Sequence, residues 1–572
     1  MSPARRKNVS PGRALVSALV ASGIFFAACA SCWSVLATLL PDAAQVEPTP
    51  LPYSGDALRL AVSPEKWALV EEIVNQFHAA GHTTSDGRPT RIQLLEMDAE
   101  SMVDAALAGE VHAILPDSSL WLDILDRRYA EQAAVQDSLG VPRTLTSGVT
   151  RWAISPVVIA MWEDTARSLG WPDRPISWKD ILERAQRDSS FRWSHPSTSS
   201  ASGLLATLAQ FYAAAGITRD LTPDLARSES VVRYVSAIQK TVRFYGEGEW
   251  TVIQRALQEG KHYLDAFVVQ EQLVVYFNRQ PQRPARLVAV YPAEGTLWED
   301  HPLALIETPN LLPIHREIYQ ALRSHLTSEA TQQVVLKAGY RPANLAIAIN
   351  TATSPINPAN GVEPSQPQTT LQIPSPSVVE IVRDVWWLTK RHANVYLVVD
   401  TSGSMEGEKL ARVKEALVTF LDQIKGEEER VGLVAFSSWV YQVEELNKIR
   451  DNRSRLLTAI GELEANGNTA LLDAVWEAYQ QLQRLGDRER INALVVMTDG
   501  KENNSWLSLS ELEDGIRRGN SRGVPIVIFC IAYGEDADME TLQRIAEASG
   551  GIVRVGDLET IRKLYKLMAT YF

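Results

Sequence analysis

Cysteine is almost missing from this sequence, with three residues in 572. Cys29 and Cys32 fall in one N-terminal apolar stretch, so Cys530 stands alone downstream and no disulfide can brace the bulk of the chain. Stability there must come from packed cores, and 572 residues are too many for a single one. Positive charge is also short: 56 Lys and Arg face 69 Asp and Glu, a net charge of −13. A surface that acidic repels phosphate backbones, which argues against nucleic-acid binding. Apolar residues make up 45% and charged residues 22%, a mix that excludes collagen-like, wholly disordered and polytopic membrane architectures. Catalytic signatures are missing too. No GxSxG pentapeptide occurs, and Gly260-Lys261 runs into His262 without the upstream glycine of a phosphate-binding loop. His78 and His82 have helical ligand spacing, but Gly81 lies between them and no glutamate completes a metalloprotease pattern.

One long apolar run is present. Residues 14–40 carry no charge over 27 positions, more than the roughly 20 a bilayer core requires of a helix. Arg5, Arg6, Lys7 and Arg13 precede it, and Asp42 and Glu47 follow. The charge bias predicts a basic cytoplasmic segment at 1–13, a transmembrane helix at 14–40 and a spacer at 41–55. The bulk of the chain would then be extracytoplasmic, on a single-pass membrane protein. A cleaved signal peptide has a shorter apolar core of roughly 7–15 residues. Lipid attachment at Cys29, after Phe26-Ala27-Ala28, and simple secretion remain alternatives; each also places the chain outside the cytoplasm.

From 56 to 345 short apolar runs alternate with amphipathic stretches. Leu58–Val62, Arg91–Leu95 and Val111–Leu115 read as strands and Trp67–Phe77 as a helix, an order that predicts a parallel sheet. Hydroxyl-bearing residues collect where helices begin: Ser63 after the first strand, Ser118 and Ser119 after the third, and Ser197, Thr198 and Ser199 before an alanine-rich helix. Hydroxyls and free N–H groups at a helix start suit an oxyanion. They are also ordinary helix caps. The segments Leu169-Gly170-Trp171-Pro172, Ile176–Ile181, Asp265–Gln272 and Gly339–Pro342, in this order, resemble the extracytoplasmic solute-binding proteins. The resemblance implies a two-lobed, type II periplasmic-binding-protein-like domain that closes on a small solute or oxyanion. Residues 346–377 follow, rich in proline and lacking Lys and Arg beyond Thr351, and read as an extended linker.

The segment 378–572 carries the sharpest pattern. Val395–Val399 is a continuous apolar run, expected of a buried central strand, and it ends in Asp400-Thr401-Ser402-Gly403-Ser404. Asn466–Ala470 opens a second helix, and Ile491–Met497 ends in Thr498-Asp499-Gly500. Alternating strands and helices predict a doubly wound, Rossmann-like α/β domain with its site at the carboxyl ends of the strands. Helix capping accounts for Asp400 and Ser402 alone, but leaves Thr469 and Asp499 without a role. These residues resemble the von Willebrand factor type A (VWA) domain. Its metal-ion-dependent adhesion site, written DxSxS with a later Thr and Asp, is matched by Asp400, Ser402, Ser404, Thr469 and Asp499. The resemblance implies Mg²⁺, or Mn²⁺ or Ca²⁺ in its place, on oxygen ligands, and a protein partner that offers an Asp or Glu carboxylate.

The reading that follows is a membrane-anchored extracytoplasmic recognition or adhesion protein, not an enzyme. A solute receptor for a transporter or sensor, with the VWA domain as docking module, is the alternative; an assembly or chaperone factor is a third.

Overall fold

The computed structural model describes residues 56–134, 144–245, 248–424, 426–534 and 536–557, with Ile561 and Tyr565. The expected membrane helix at 14–40 and its flanks lie outside the described residues. Among the described residues no helix is long and apolar enough to cross a membrane.

The first region is two-lobed. The chain runs through β1 (Leu58–Val62), β2 (Ile92–Glu96), β3 (Ala113–Leu115) and β4 (Thr146–Arg151), then crosses at Trp152 into a second lobe as β5 (Ala153–Trp162). There it forms β6 (Trp193–Ser194), β7 (Ala266–Gln270), β8 (Leu287–Val290) and β9 (Trp298–Glu299). It returns through Asp300 and His301 as β10 (Pro302–Ile306), and β11 (Arg341–Pro342) pairs back onto β5. The first lobe's sheet has the order β2-β1-β3-β10-β4. β1 pairs in parallel with β2 and β3, and β6 with β7; β10 runs antiparallel to both β3 and β4, and β5 pairs antiparallel with β7, β8, β9 and β11. The parallel pairing expected from sequence is thus limited to the first three strands and the short β6–β7 pair. The reason is topological: a chain that leaves a lobe and re-enters brings its return strand back in the opposite sense.

Local sequence explains how the second lobe's main helix, α1 (Ala201–Ala215), begins. Ser200 caps it, its Oγ accepting from Gly203 N–H at 3.1 Å. A Cβ on Gly203 would lie 2.1 Å from the Ser197 carbonyl oxygen, so only glycine lets the serine turn fold onto the helix.

Residues 346–377 are not a free tether. Ile356, Val362 and Leu371 are buried, Ala289 N–H donates to Gly361 O at 2.8 Å, and Tyr212 OH donates to Gln372 O at 2.6 Å. The stretch lies along the second lobe and ends in α2 (Pro376–Thr389), which starts with proline at its first position, where no N–H is required. Val378, Val379, Val382 and Trp386 of α2 belong to a core that runs unbroken from the second lobe to one face of the C-terminal sheet. Each such buried side chain contributes about 1.5–3 kcal/mol by transfer from water, so α2 is a joint between domains. Trp386 donates from Nε1 to Gln239 Oε1 at 3.1 Å.

The C-terminal sheet comprises β12 (Ala393–Asp400), β13 (Arg430–Phe436), β14 (Val440–Lys448), β15 (Ile491–Thr498), β16 (Ile526–Tyr533) and β17 (Val553–Gly556), in the order β14-β13-β12-β15-β16-β17. All neighbours are parallel except β13 and β14. Successive residues of β12 serve opposite cores: Val395, Leu397 and Val399 face one and Tyr396 and Val398 the other. Cys530 is a buried member of the second, and burial pushes its thiol well up, as suits an inert apolar residue.

Candidate functional site

Two groups of buried carboxylates stand out, one in each domain. In the C-terminal domain β12 and β15 end level: the register pairs Val399 with Met497, so Asp400 and Thr498 emerge side by side. Thr498 Oγ1 donates to Asp400 Oδ2, and Ser402 N–H donates to Asp400 Oδ1 at 2.7 Å. Ser402 Oγ lies 3.1 Å from Ser404 Oγ, which donates to Asp499 Oδ1 at 2.7 Å. Thr469 is fixed by its N–H donating to Asn503 Oδ1 at 2.9 Å. A Cβ on Gly500 would stand 3.4 Å from Thr469 Oγ1 and 3.5 Å from Ser404 Oγ, so glycine leaves the two hydroxyls facing a common space.

All five expected residues therefore meet at one strand edge. Asp400, Ser402, Thr469 and Asp499 are buried, while Ser404 is exposed at the rim. Burial pushes the Asp400 carboxyl up, and the Asp499 charge adds to it. One ammonium is at hand: Lys409 Nζ pairs with Asp499 Oδ2. Two buried carboxylates and three hydroxyls around one ammonium fit a hard divalent cation. Sequence reasoning passed over Thr498 and Lys409. The usable signal for Lys409 was its place on the first turn of the helix that follows the Ser-Gly-Ser turn.

In the first domain the carboxylates gather where the chain crosses between lobes. Ser63 Oγ donates to Asp117 Oδ1 at 2.8 Å, and Lys66 Nζ sits 3.0 Å from the same oxygen. Lys66 also donates to Pro116 O at 2.8 Å and lies 3.1 Å from His301 Nδ1. From the second lobe, Ser202 Oγ donates to Glu299 Oε1 at 2.6 Å, and Gln270 N–H donates to Glu249 Oε2 at 2.8 Å. Asp117, Glu249, Glu299, Lys66 and His301 are all buried. Burial pushes Glu249 up to about 8. Burial, then the Glu249 and Asp117 charges, hold Glu299 well above the usual range. For Asp117 burial acts upward, but the Lys66 ammonium and His301 outweigh it and hold the carboxyl low.

The hydroxyls expected to cradle an oxyanion are divided. Ser63 serves Asp117, Ser118 Oγ accepts from Leu120 N–H at 3.3 Å as a cap, and Ser119 N–H donates to Asp300 Oδ1 at 2.7 Å. Ser199 N–H reaches Ser197 Oγ at 3.4 Å, while buried Thr198 Oγ1 has no partner. The structure thus joins Ser63 to the acidic group, ties Ser119 to Asp300 and leaves Ser118, Ser197 and Ser199 to local turns. His78 Nε2 accepts from Ile92 N–H at 3.1 Å, and His82 stacks on Phe77, so neither forms a metal pair.

Comparison with known proteins divides the chain the same way. Residues 58–341 match the family model "Bacterial extracellular solute-binding protein", and residues 394–567 match the "von Willebrand factor type A domain". The inter-alpha-trypsin inhibitor heavy chain H4 of Sus scrofa is 28% identical over 166 residues, 28% of this chain but 18% of that protein. The chain therefore spans under a fifth of that relative's length. A von Willebrand factor type A structure from Catenulispora acidiphila is 24% identical, with a TM-score of 0.29, covering 32% of this chain and 43% of that one. A periplasmic thiamin binding protein is 13% identical, with a TM-score of 0.41, covering 58% and 95%.

Proposed function

We propose, from the premise that a solute-binding domain and a VWA domain share one chain, that this is a membrane-anchored extracytoplasmic recognition protein whose VWA domain takes a partner's carboxylate. The observation that carries the reading is the convergence of Asp400, Ser402, Ser404, Thr469 and Asp499 at one strand edge, with Ser404 opening to solvent. Thr498 and the Ser402 N–H hold Asp400 in place, while Ser404 orients Asp499. The neutral hydroxyls of Ser402, Ser404 and Thr469 separate the acids. Mg²⁺ held by these groups, or Mn²⁺ or Ca²⁺ in its place, would supply a Lewis-acidic position for an Asp or Glu side chain of a protein partner. The run 14–40 would anchor the chain, with its bulk outside. No reaction is assigned, since no general base stands beside these residues. Calorimetric titration with Mg²⁺ tests the reading: the full chain binds and Asp400→Ala loses at least about 100-fold in affinity, roughly 2.7 kcal/mol. Equal binding by the two proteins overturns it.

A second reading, a solute receptor with the VWA domain as docking module, is favoured by one observation: buried ionisable groups from both lobes gather at their crossing.

A further inference from the structure

Among the described residues three aromatic side chains are exposed, and all three belong to the VWA domain: Trp439 at 63%, Tyr441 at 45% and Trp506 at 91%. The two tryptophans are not on loose chain. Trp506 N–H donates to Asp473 Oδ2 at 2.9 Å, and Leu507 N–H to Asp473 Oδ1 at 3.1 Å. Just before them Ser505 Oγ donates to Glu502 Oε2 at 2.7 Å. Trp439 O accepts from Ser437 N–H at 2.9 Å, which closes a tight turn between β13 and β14. Both turns are fastened to the loop that carries Thr469. Ser438 Oγ accepts from Asn468 N–H at 2.8 Å and Ser437 O from Ala470 N–H at 2.8 Å, while Asn503 Oδ1 takes Thr469 N–H itself. Asn504 Nδ2 donates to Ser438 O at 2.8 Å and ties one turn to the other. Thr469 is thus bracketed by two rigid turns, each holding an indole out into water.

We propose that Trp439 and Trp506 anchor a docking surface for a protein segment whose Asp or Glu is flanked by bulky apolar side chains; this rests on the reading that Asp400 and its neighbours take a partner's carboxylate. The two parts of such a segment meet different groups. The acid reaches the site among Asp400, Ser404 and Thr469, and the flanking apolar side chains cover the indoles. A buried aromatic side chain removes about 150–250 Å² from water, and tryptophan is the residue type most enriched at binding hot spots. Pinned turns add to this, because a backbone already held in place loses little entropy on binding. Charge selects the kind of partner. At −13 the chain repels an acidic polysaccharide or an anionic bilayer as a whole, whereas one carboxylate between apolar groups brings a single charge to a single position.

The test pans phage-displayed random dodecapeptides on the full chain in Mg²⁺. Selected sequences should share an Asp or Glu with Leu, Ile, Phe or Trp close on either side, and EDTA should release them. A selected peptide, labelled and titrated by fluorescence anisotropy, should bind Trp439→Ala and Trp506→Ala each at least about 10-fold more weakly. Calorimetric Mg²⁺ affinity of both variants should stay within about 2-fold, since neither side chain belongs to the oxygen group. Both side chains are exposed, so the fold is kept, and a melting curve checks it. An acidic motif without apolar flanks, or affinity unchanged in both variants, overturns this proposal and leaves the carboxylate reading standing. Peptides that survive both EDTA and Asp400→Ala overturn the carboxylate reading and this proposal with it. An empty selection overturns the proposal as well, as does binding of polygalacturonate or phosphatidylglycerol vesicles in place of peptides.

Discussion

At the carboxyl ends of the central VWA strands two aspartates are separated by three hydroxyls, and the lysine beside them, Lys409, is 34% exposed. At the lobe crossing of the first domain the acids are separated by one serine, and the resident lysine, Lys66, is fully buried. Both sites pair a single ammonium with a single carboxylate and leave further acid over. The surroundings differ. At the strand ends Asp400 and Asp499 are themselves buried, but the exposed Ser404 opens the group to solvent. At the crossing the surplus is sealed in low dielectric, where an unpaired charge is far more costly. At the closed hinge Glu249 and Glu299 therefore hold their protons instead of standing as unpaired charges.

The comparison is broken most severely where the two regions join. Glu429 on the VWA domain accepts from Lys390 Nζ at 2.7 Å and lies 3.0 Å from His392 Nδ1, with both the Lys390 and Glu429 side chains fully buried. Replacing Glu429 by alanine leaves the Lys390 ammonium buried without its carboxylate, beside the helix that carries the shared core. The expected loss is about 3–5 kcal/mol in urea denaturation, whereas exposed ion pairs typically yield under about 1 kcal/mol. A loss below about 1 kcal/mol would show that the junction is solvated and that the two sites belong to independent bodies.

The VWA half was the more legible from sequence, for physical reasons. Strands β12 and β15 are buried on both faces, so each reads as an unbroken apolar run, and the ligating groups follow directly on the strand ends. Lys409 and Thr498 were missed because nothing in spacing marks a side chain that acts by holding another. How closely the linker packs was not legible, because Ile356, Val362 and Leu371 are isolated among polar residues and show no period. The hinge cluster had no local signal, since Lys66 and His301 are 235 residues apart. Ser63 was visible, but the acid that engages it was not, and neither was the bond between Ser202 and Glu299.

Acidity tells the two regions apart by the sign of its effect. Glu249 has an ordinary value of 4.5 and is pushed up to about 8 by burial, so the folded protein holds a proton across that window that the unfolded chain has released. Stability contributed there is complete below about pH 4.5 and is lost as pH rises toward 8. In chelated, metal-free buffer the chain should lose about 1–2 kcal/mol between pH 5 and pH 8, less than the full shift because the charged cleft can admit water. Glu429 has the opposite sign. Burial raises it, but Lys390 and His392 prevail and hold it low, so its contribution is lost only as pH falls below the carboxylate range. Melting curves at pH 5, 6.5 and 8 check the direction, and a flat or rising profile would mean that the hinge acids are already ionised and hydrated.

The finest probe is the pair of resident lysines. Lys409 competes for Asp499 from a partly screened position, so Lys409→Met should free that carboxylate and tighten Mg²⁺ by a factor of about 3, the modest size expected of a screened pair. Calorimetry on the full chain measures it. Weaker Mg²⁺ binding in this variant would mean that the ammonium orients Asp499 instead of rivalling the ion, and the site would then resemble the lobe crossing, where Lys66 is fixed by Asp117, Pro116 O and His301 Nδ1.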